Sequence, residues 1–552
     1  MFFIHLKIAW RNLVRNKVYS AINIGGLSIG IAISLLISLY VIHEYSYDSF
    51  HKNADRIYGM YLRVKLTGAG DSVNYPLTSY RSGPALMQAD PSVESFVRVK
   101  ANFGNDPIIQ SVASPERKFT DNFLFADSNF FSFYSFPLKE GNADQVLSRP
   151  FAVVISERMA KKYFGNADPV GHLLKYDSAY IFEITGVAEN APSNSTLQYD
   201  FVASLSSSLS MKDGKHISEA SNLTMGIFST NLLLRKGANP RNSETLFKKL
   251  VDQNKNYNDT TSRCGLLPLT ATHLFYDGFD TSNIKYLKIF MLAGVLILLL
   301  ALINYMSMAT ANSTQRAKEI GVRKVIGANR STIARQFYVE SALYVTIAFI
   351  LGFALFNLVQ ASFFHRIQLA IDTSFLYKSR VMLAFGALFV ISILVAGSYP
   401  SIVLSSFNPI SVLYGKLSRE RGGVNVRRFF IVLQFSISVG MIISSLVIER
   451  QMYFFRHTDT GINRENVVMM NFGNGIGKHY RSFKNDVSQL AGVSEVATAQ
   501  YALYRGYAAY AITTREVKTP PTARGAHGRR SFYVHPAHEL ADTAKWSSHF
   551  RQ

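Results

Sequence analysis

Ala21-Ile-Asn-Ile-Gly-Gly-Leu-Ser-Ile-Gly-Ile-Ala-Ile-Ser-Leu-Leu-Ile-Ser-Leu-Tyr-Val-Ile42 holds 22 residues and no charge. At about 1.5 Å of rise per residue, such a helix reaches across the roughly 30 Å hydrocarbon layer of a bilayer. Four more stretches repeat the pattern: Ile289–Ala311, Ser341–Phe364, Val381–Leu404 and Phe429–Ile448. Polar connectors separate them, and a long gap stands between the first and the second. The fold class that follows is a polytopic α-helical membrane protein with five predicted transmembrane helices and a large α+β extramembrane domain.

Basic residues orient the chain. Lys7, Arg11, Arg15 and Lys17 precede the first span with no acidic residue among them, which keeps the N-terminus cytoplasmic. Threading then assigns residues 1–20 to a cytoplasmic interfacial helix, 21–43 to the first span and 44–285 to an outer domain. Residues 286–311 form the second span, 312–336 a cytoplasmic segment, and 337–364 and 379–404 the third and fourth spans. Residues 405–428 are a cytoplasmic loop, 429–449 the fifth span and 450–499 the start of a second outer domain. Both inner loops are basic, whereas the short outer connector, with Arg366, Lys378 and Arg380 against Asp372, is nearly as basic and does not help. The first apolar run is too long for a cleaved signal core of about 7–15 residues, so it reads as an anchor. Before it, Phe2, Leu6, Trp10 and Leu13 share one helical face and Lys7, Arg11 and Arg15 another, the pattern of a helix lying in the membrane interface.

A net charge of +21 raises the question of nucleic acid. Much of the excess sits in membrane-proximal loops, where it serves orientation and contact with anionic lipid, and no nucleic-acid-binding signature accompanies it. The single cysteine, Cys264, permits no intramolecular disulfide, and it reads as an ordinary buried small residue. The chain has no Walker A loop, no His-Glu-x-x-His and no paired-cysteine spacing, and its Gly-x-Ser-x-Gly match, Gly26-Leu-Ser-Ile-Gly30, lies inside the first apolar span and not at a strand-to-helix nucleophile turn. His535 and His538 lack a third ligand nearby. The reading is therefore not an enzyme, with no catalytic residue, no cofactor and no metal. Asn304 and Gln434 inside spans read as interhelical hydrogen-bond donors and acceptors, and Gly26-x-x-x-Gly30 as a helix-packing pattern.

Within 44–285, Phe151–Ile155 reads as a strand, Ser156 as an N-cap, Glu157–Phe164 as a helix and Gly165 as its stop. Ile181–Val187 reads as another strand and residues 190–195 as a loop. On the inner side, Ser313–Gln336 reads as a short basic helix stopped near Gly327, followed by a second start capped around Ser331. Glu319 and Arg323 stand four apart in the favourable order. A short amphipathic helix between two spans suits a groove in a cytoplasmic partner; a solvated basic loop is the plainer alternative.

Three blocks carry a family resemblance: Ile8-Ala-Trp-Arg-Asn-Leu-Val-Arg-Asn-Lys17, Val154-Ile-Ser-Glu-Arg-Met-Ala-Lys-Lys-Tyr-Phe-Gly165 with Asp168-Pro-Val-Gly171, and Lys318-Glu-Ile-Gly-Val-Arg-Lys-Val-Ile-Gly-Ala328. In them the chain resembles the FtsX-like permeases of the ABC transporter superfamily, the MacB type with a periplasmic core domain. The resemblance implies a bacterial inner-membrane protein whose inner segment contacts a cytoplasmic ABC ATPase. That contact would fall on Arg316, Lys318, Glu319, Gly321, Arg323, Lys324, Gly327 and Ala328. It also implies an outer domain of α/β subdomains, a homo- or heterodimer of permeases, a periplasmic adaptor as a further partner, and first and second spans that pass ATP-driven motion outward. Efflux or extraction of a lipid, peptide or drug is the expected use. The alternative is a sensing or regulatory module that moves no cargo.

A second unit begins at Arg427-Arg428, where a basic pair again precedes an apolar span and Phe435-Ser-Ile-Ser-Val-Gly440 parallels Leu27-Ser-Ile-Gly-Ile-Ala32. Val467–Phe472 reads as a strand and Tyr480–Leu490 as a helix. Residues 500–552 lose apolar periodicity and read as a disordered or frame-altered tail of a longer permease.

Overall fold

The computed structural model describes residues 2–65, 72–100, 107–113, 116, 118–177, 179–212, 214, 223, 226–253, 263–275, 284–315, 322–405, 421–458, 466–470 and 479–497. The chain opens with helices α1 (Phe2–Arg15) and α2 (Lys17–Tyr45). The outer domain follows as β1 (Ile57–Lys65), β2 (Ser72–Tyr75), α3 (Ser82–Ala89), β3 (Val93–Lys100), β4 (Ile108–Ser111), β5 (Lys118–Thr120) and β6 (Phe123–Ala126). It continues through α4 (Phe130–Tyr134), β7 (Leu138–Glu140), β8 (Ala152–Ser156), α5 (Glu157–Phe164), β9 (Leu173–Tyr176), β10 (Tyr180–Ala188) and β11 (Phe201–Ser204). It closes with α6 (Leu205–Ser210), β12 (Phe228–Leu234), α7 (Pro240–Gln253), β13 (Arg263–Pro268) and α8 (Leu269–Phe275). Then come α9 (Ile284–Gln315), α10 (Arg330–Arg366), a 3₁₀ turn at Thr373–Tyr377, α11 (Ser379–Ser405), α12 (Arg421–His457) and α13 (Tyr480–Ser488).

Five of these helices, α2 and α9 to α12, are long and apolar enough to cross a membrane. The first begins at Lys17 rather than near residue 21, because hydropathy marks lipid contact while the helix itself continues through its basic lead-in. A break at Asn16 separates it from α1, whose Phe3, Ile4 and Trp10 are exposed. Helix α12 likewise overruns its apolar stretch at both ends, starting inside the expected inner loop.

Helix α2 is the centre of the bundle and packs against both α9 and α10, with α10 against α11. Leu27, Ile31, Leu35 and Leu39 are all buried there, with Leu302, Met306 and Val345 in the same core. The close approach needs small residues at two of these glycines: a Cβ at Gly30 would meet the Ala301 Cβ at 2.5 Å and one at Gly352 the Ser28 carbonyl at 2.8 Å, whereas one at Gly26 would stand an ordinary 3.8 Å from the Asn304 amide.

The outer domain is one mixed sheet, ordered β13-β1-β12-β3-β6-β11-β8-β10-β9-β4-β5 among the described residues, with β2 beside β1 and β7 beside β10. Strands β6, β8 and β11 are buried along their whole length, as their unbroken apolar runs dictate. The β8–α5–β10 unit forms as its sequence reads. The Ser156 hydroxyl accepts the Met159 N–H at 3.3 Å, Gly165 stops the helix at φ +67°, and β10 returns parallel to β8. Arg98 grips Asp127 through two nitrogens at 2.8 and 2.9 Å and lies over the Tyr80 ring.

Residues 461–552 form a separate unit. Within it α13 forms as expected, while Val467–Met470 is not a strand, since no partner strand is present there among the described residues. The tail at 500–552 lies outside the described residues, as do His535 and His538.

Candidate functional site

Two regions at opposite ends of the bundle bear on function. At the outer end, α2 runs directly into the domain, and its last turn meets three other segments. His43 and Glu44 are buried there, at 0% and 6% exposure. His273, on α8 just ahead of the second span, donates from Nε2 to Glu44 Oε2 at 2.8 Å, and its ring stacks on Tyr47 with centroids 3.4 Å apart. His43 Nε2 lies 3.2 Å from Ser193 Oγ, in the domain loop after β10, and its ring packs edge-on against Phe375 of the outer connector.

The connector and that loop then hold each other. The Ser193 N–H donates to Asp372 Oδ2 at 2.7 Å, and the Asp372 N–H donates to Ser193 Oγ at 3.1 Å. One turn further on, Asn194 donates to the Ser46 carbonyl at 2.9 Å. Asp48, held at φ +55°, receives the Thr196 N–H at 2.9 Å and its hydroxyl at 2.5 Å. His51 closes the set through Nδ1 on the Tyr134 carbonyl. The top of the first span, the α8 helix, the third-to-fourth connector and the domain are thus one hydrogen-bonded block. Charge-assisted bonds such as that of Glu44 contribute about 1.5–3 kcal/mol each.

None of these contacts joins neighbours in sequence. The visible signals were a polar pair, His43-Glu44, at the end of an apolar run and one acid, Asp372, in a basic connector; their partners lie far along the chain.

At the inner end, Arg316, Lys318, Glu319 and Gly321 lie outside the described residues, and the expected Glu319–Arg323 pairing with them. Arg323, Lys324, Gly327 and Ala328 are described. The short helix ends at Gly327, whose φ is +101°, and the Ala328 N–H returns to the Arg323 carbonyl at 2.9 Å. The next helix is capped at Asn329 rather than around Ser331: Asn329 has the extended cap conformation, and Thr332 and Ile333 donate to its carbonyl. Ala328 packs on buried Ile333 and Phe337, which anchors the turn to α10. Arg323 reaches back to Gln336 Oε1 at 2.7 Å. Burial, and then the like charge of Arg330, push the Lys324 ammonium down. Val322, Val325 and Ile326 are left exposed, Ile326 at 80%. The arrangement is an apolar knob with basic flanks on a braced turn.

Among the described residues there is no cluster of metal-ligating side chains.

Residues 20–248 match the family described as MacB-like periplasmic core domain, and residues 291–409 match the FtsX-like permease C-terminal family. Macrolide export ATP-binding/permease proteins MacB of Escherichia coli O157:H7, E. coli K12 and Shigella flexneri are each 23% identical over 373 residues, which are 64% of this chain and 52% of each relative. The chain therefore spans about half the length of the curated relatives it matches. A permease domain from Porphyromonas gingivalis is 19% identical with a TM-score of 0.33, over 43% of this chain and 99% of its own. The periplasmic region of MacB from Actinobacillus actinomycetemcomitans is 14% identical with a TM-score of 0.29, over 39% of this chain and 90% of its own. A membrane protein whose large periplasmic domain and permease domain match these two families in this order, the chain belongs to the FtsX/MacB-type permeases.

Proposed function

We propose that this chain is the membrane subunit of an ABC-type complex in the bacterial inner membrane, converting ATP binding and hydrolysis by a cytoplasmic partner into movement of its periplasmic domain. It crosses the membrane five times with its N-terminus inside, and the domain boundaries are those read from the sequence. The partner is held at Arg316, Lys318, Glu319, Gly321, Arg323, Lys324, Gly327 and Ala328. The observation that carries the reading is the unbroken path through α2: buried against α9 and α10 along the bundle, and locked at its outer end through Glu44–His273 and His43–Ser193. The exposed Val322–Ile326 knob, braced on α10 at the other end, supports a docking role. Work done on that knob reaches the domain through packed helices.

Export or extraction of a lipid, peptide or drug is the use this motion suits, in a dimer of permeases and with a periplasmic adaptor. Macrolide export by the MacB relatives lends support to efflux. On this reading ATP is hydrolysed by the cytoplasmic partner that contacts the inner segment.

The test is Arg323→Glu with Lys324→Glu. Charge reversal at a docking surface should abolish co-purification of the ATPase or its stimulation by this chain, while membrane insertion persists because the other inner segments stay basic. Unchanged assembly and unchanged coupled hydrolysis would return the segment to a plain basic loop.

A further inference from the structure

The outer connector carries a second feature besides its lock on the domain. Where α10 ends, the Leu369 N–H returns to the Phe364 carbonyl at 3.0 Å and Gln368 takes φ +56°, so the chain doubles back beside its own helix. The fold leaves a cleft of about 860 Å³ between the last turns of α10 and the connector. That falls within the roughly 300–1,000 Å³ of ordinary ligand sites. Its floor is apolar, with buried Phe364 and half-buried Leu369, Ile371 and Leu376. Its rim is polar: Arg366, His365 and Gln368 are all exposed. Among the described residues no hydrogen bond or ion pair engages the side chain of Arg366 or His365.

We propose that this cleft binds the headgroup of an anionic phospholipid from the leaflet on the domain side. An apolar floor under a guanidinium at the end of a membrane span matches an amphiphile with a negative head and acyl chains. The chains descend along the lipid-facing side of α10, where Leu358 is 77% exposed. Arg366 takes the phosphate because its planar fork meets two oxygens at once, and the last turn of a helix favours that cation.

The surrounding charges agree. Lys378 and Arg380 add positive charge from the connector's far end. The one carboxylate on the cleft, Asp372, already accepts the Ser193 N–H. Because Asp372 belongs both to the cleft and to the lock on the domain, an occupied cleft braces the connector against which His43 packs. The inference depends on the helices being membrane spans and not on any ATPase.

The test uses the full chain purified in detergent and titrated separately with dioleoyl phosphatidylglycerol, dioleoyl phosphatidylcholine and inorganic phosphate, with retained lipid counted by native mass spectrometry. Phosphatidylglycerol should be retained more tightly than phosphatidylcholine, and Arg366→Gln should weaken it about tenfold, the loss of a charge-assisted contact. Arg366→Lys, keeping the charge without the fork, should fall between. Inorganic phosphate should not displace the lipid, because it lacks the chains that fill the floor. Equal retention of the two lipids, undiminished phosphatidylglycerol binding in Arg366→Gln, or full displacement by inorganic phosphate would each overturn the proposal. Arg366 is exposed, so the variant's folding is not at issue, and a thermal melt matching that of the unaltered chain verifies it. No nucleotide or partner enters the assay, so its failure leaves the coupling reading standing.

Discussion

A methyl group on Gly30 would stand 2.5 Å from the Ala301 side chain, well inside the contact distance of two carbons. Helices α2 and α9 therefore meet along glycine and alanine, and a larger residue must push them apart. Gly30→Leu should destabilise the bundle by about 1–3 kcal/mol, the usual penalty of overpacking, and lower its melting temperature in detergent by a few degrees. Gly25→Ala is the control: nothing lies within 4 Å of its added carbon and alanine is the better helix former, so the melt should not fall. Cys264 invites a different measurement. Burial, with Asp252 adding, pushes its thiol up to about 12, and only the thiolate is a good nucleophile. Near neutral pH the group stays protonated, so maleimide should leave it unlabelled in the folded chain and label it once the chain is unfolded. Native-state labelling, read by mass spectrometry, would contradict that burial.

Elements built from local rules were legible before any coordinates. Strand β8, its Ser156 cap, helix α5 and the Gly165 stop needed only neighbours three or four residues away, and so did the apolar runs of the spans. Ser156→Ala should accordingly cost about 1 kcal/mol of domain stability, measured by denaturant unfolding. Contacts made over long distances in sequence were not legible. His43 finds Ser193, Glu44 finds His273 and Asp372 finds Ser193 only after the sheet has brought those segments together. The helix start at Asn329, two residues before Ser331, is likewise not legible: both residue types cap helices, and the Asn329 side chain makes no cap hydrogen bond that would mark it. Half of the expected inner contact set, Arg323, Lys324, Gly327 and Ala328, came from the resemblance rather than from periodicity, and its geometry is now that of a braced turn. The connector lock makes its own prediction: Asp372→Ala removes the acceptor of the Ser193 N–H and should raise amide exchange several-fold at Ser193 and in the 372–377 turn. Unchanged exchange there would mean that Phe375 packing and the backbone bond from residue 372 to Ser193 Oγ hold the connector without the carboxylate.

For the chain as a machine, the junction at Glu44 decides whether span movement arrives at the domain. Its carboxylate is buried and takes a hydrogen bond from His273, so the first span is tied at its outer end to the α8 helix of the domain. Glu44→Gln with His273→Ala removes that tie without touching the inner segment, 270–290 residues away from Glu44 in sequence and at the opposite end of the bundle. If the coupling proposal holds, the partner ATPase should still assemble on this variant and hydrolyse ATP near the normal rate, because its docking surface is intact. What should disappear is the ATP-dependent displacement of the domain relative to the membrane. Fluorescent labels on cysteines placed at exposed Ser132 in the domain and exposed Tyr453 on α12 would follow it by energy transfer, and the unreactive Cys264 keeps such labelling clean. An unaltered ATP-dependent change in transfer in the double variant would show that motion bypasses Glu44, and α2 would lose its place as the transmitting helix.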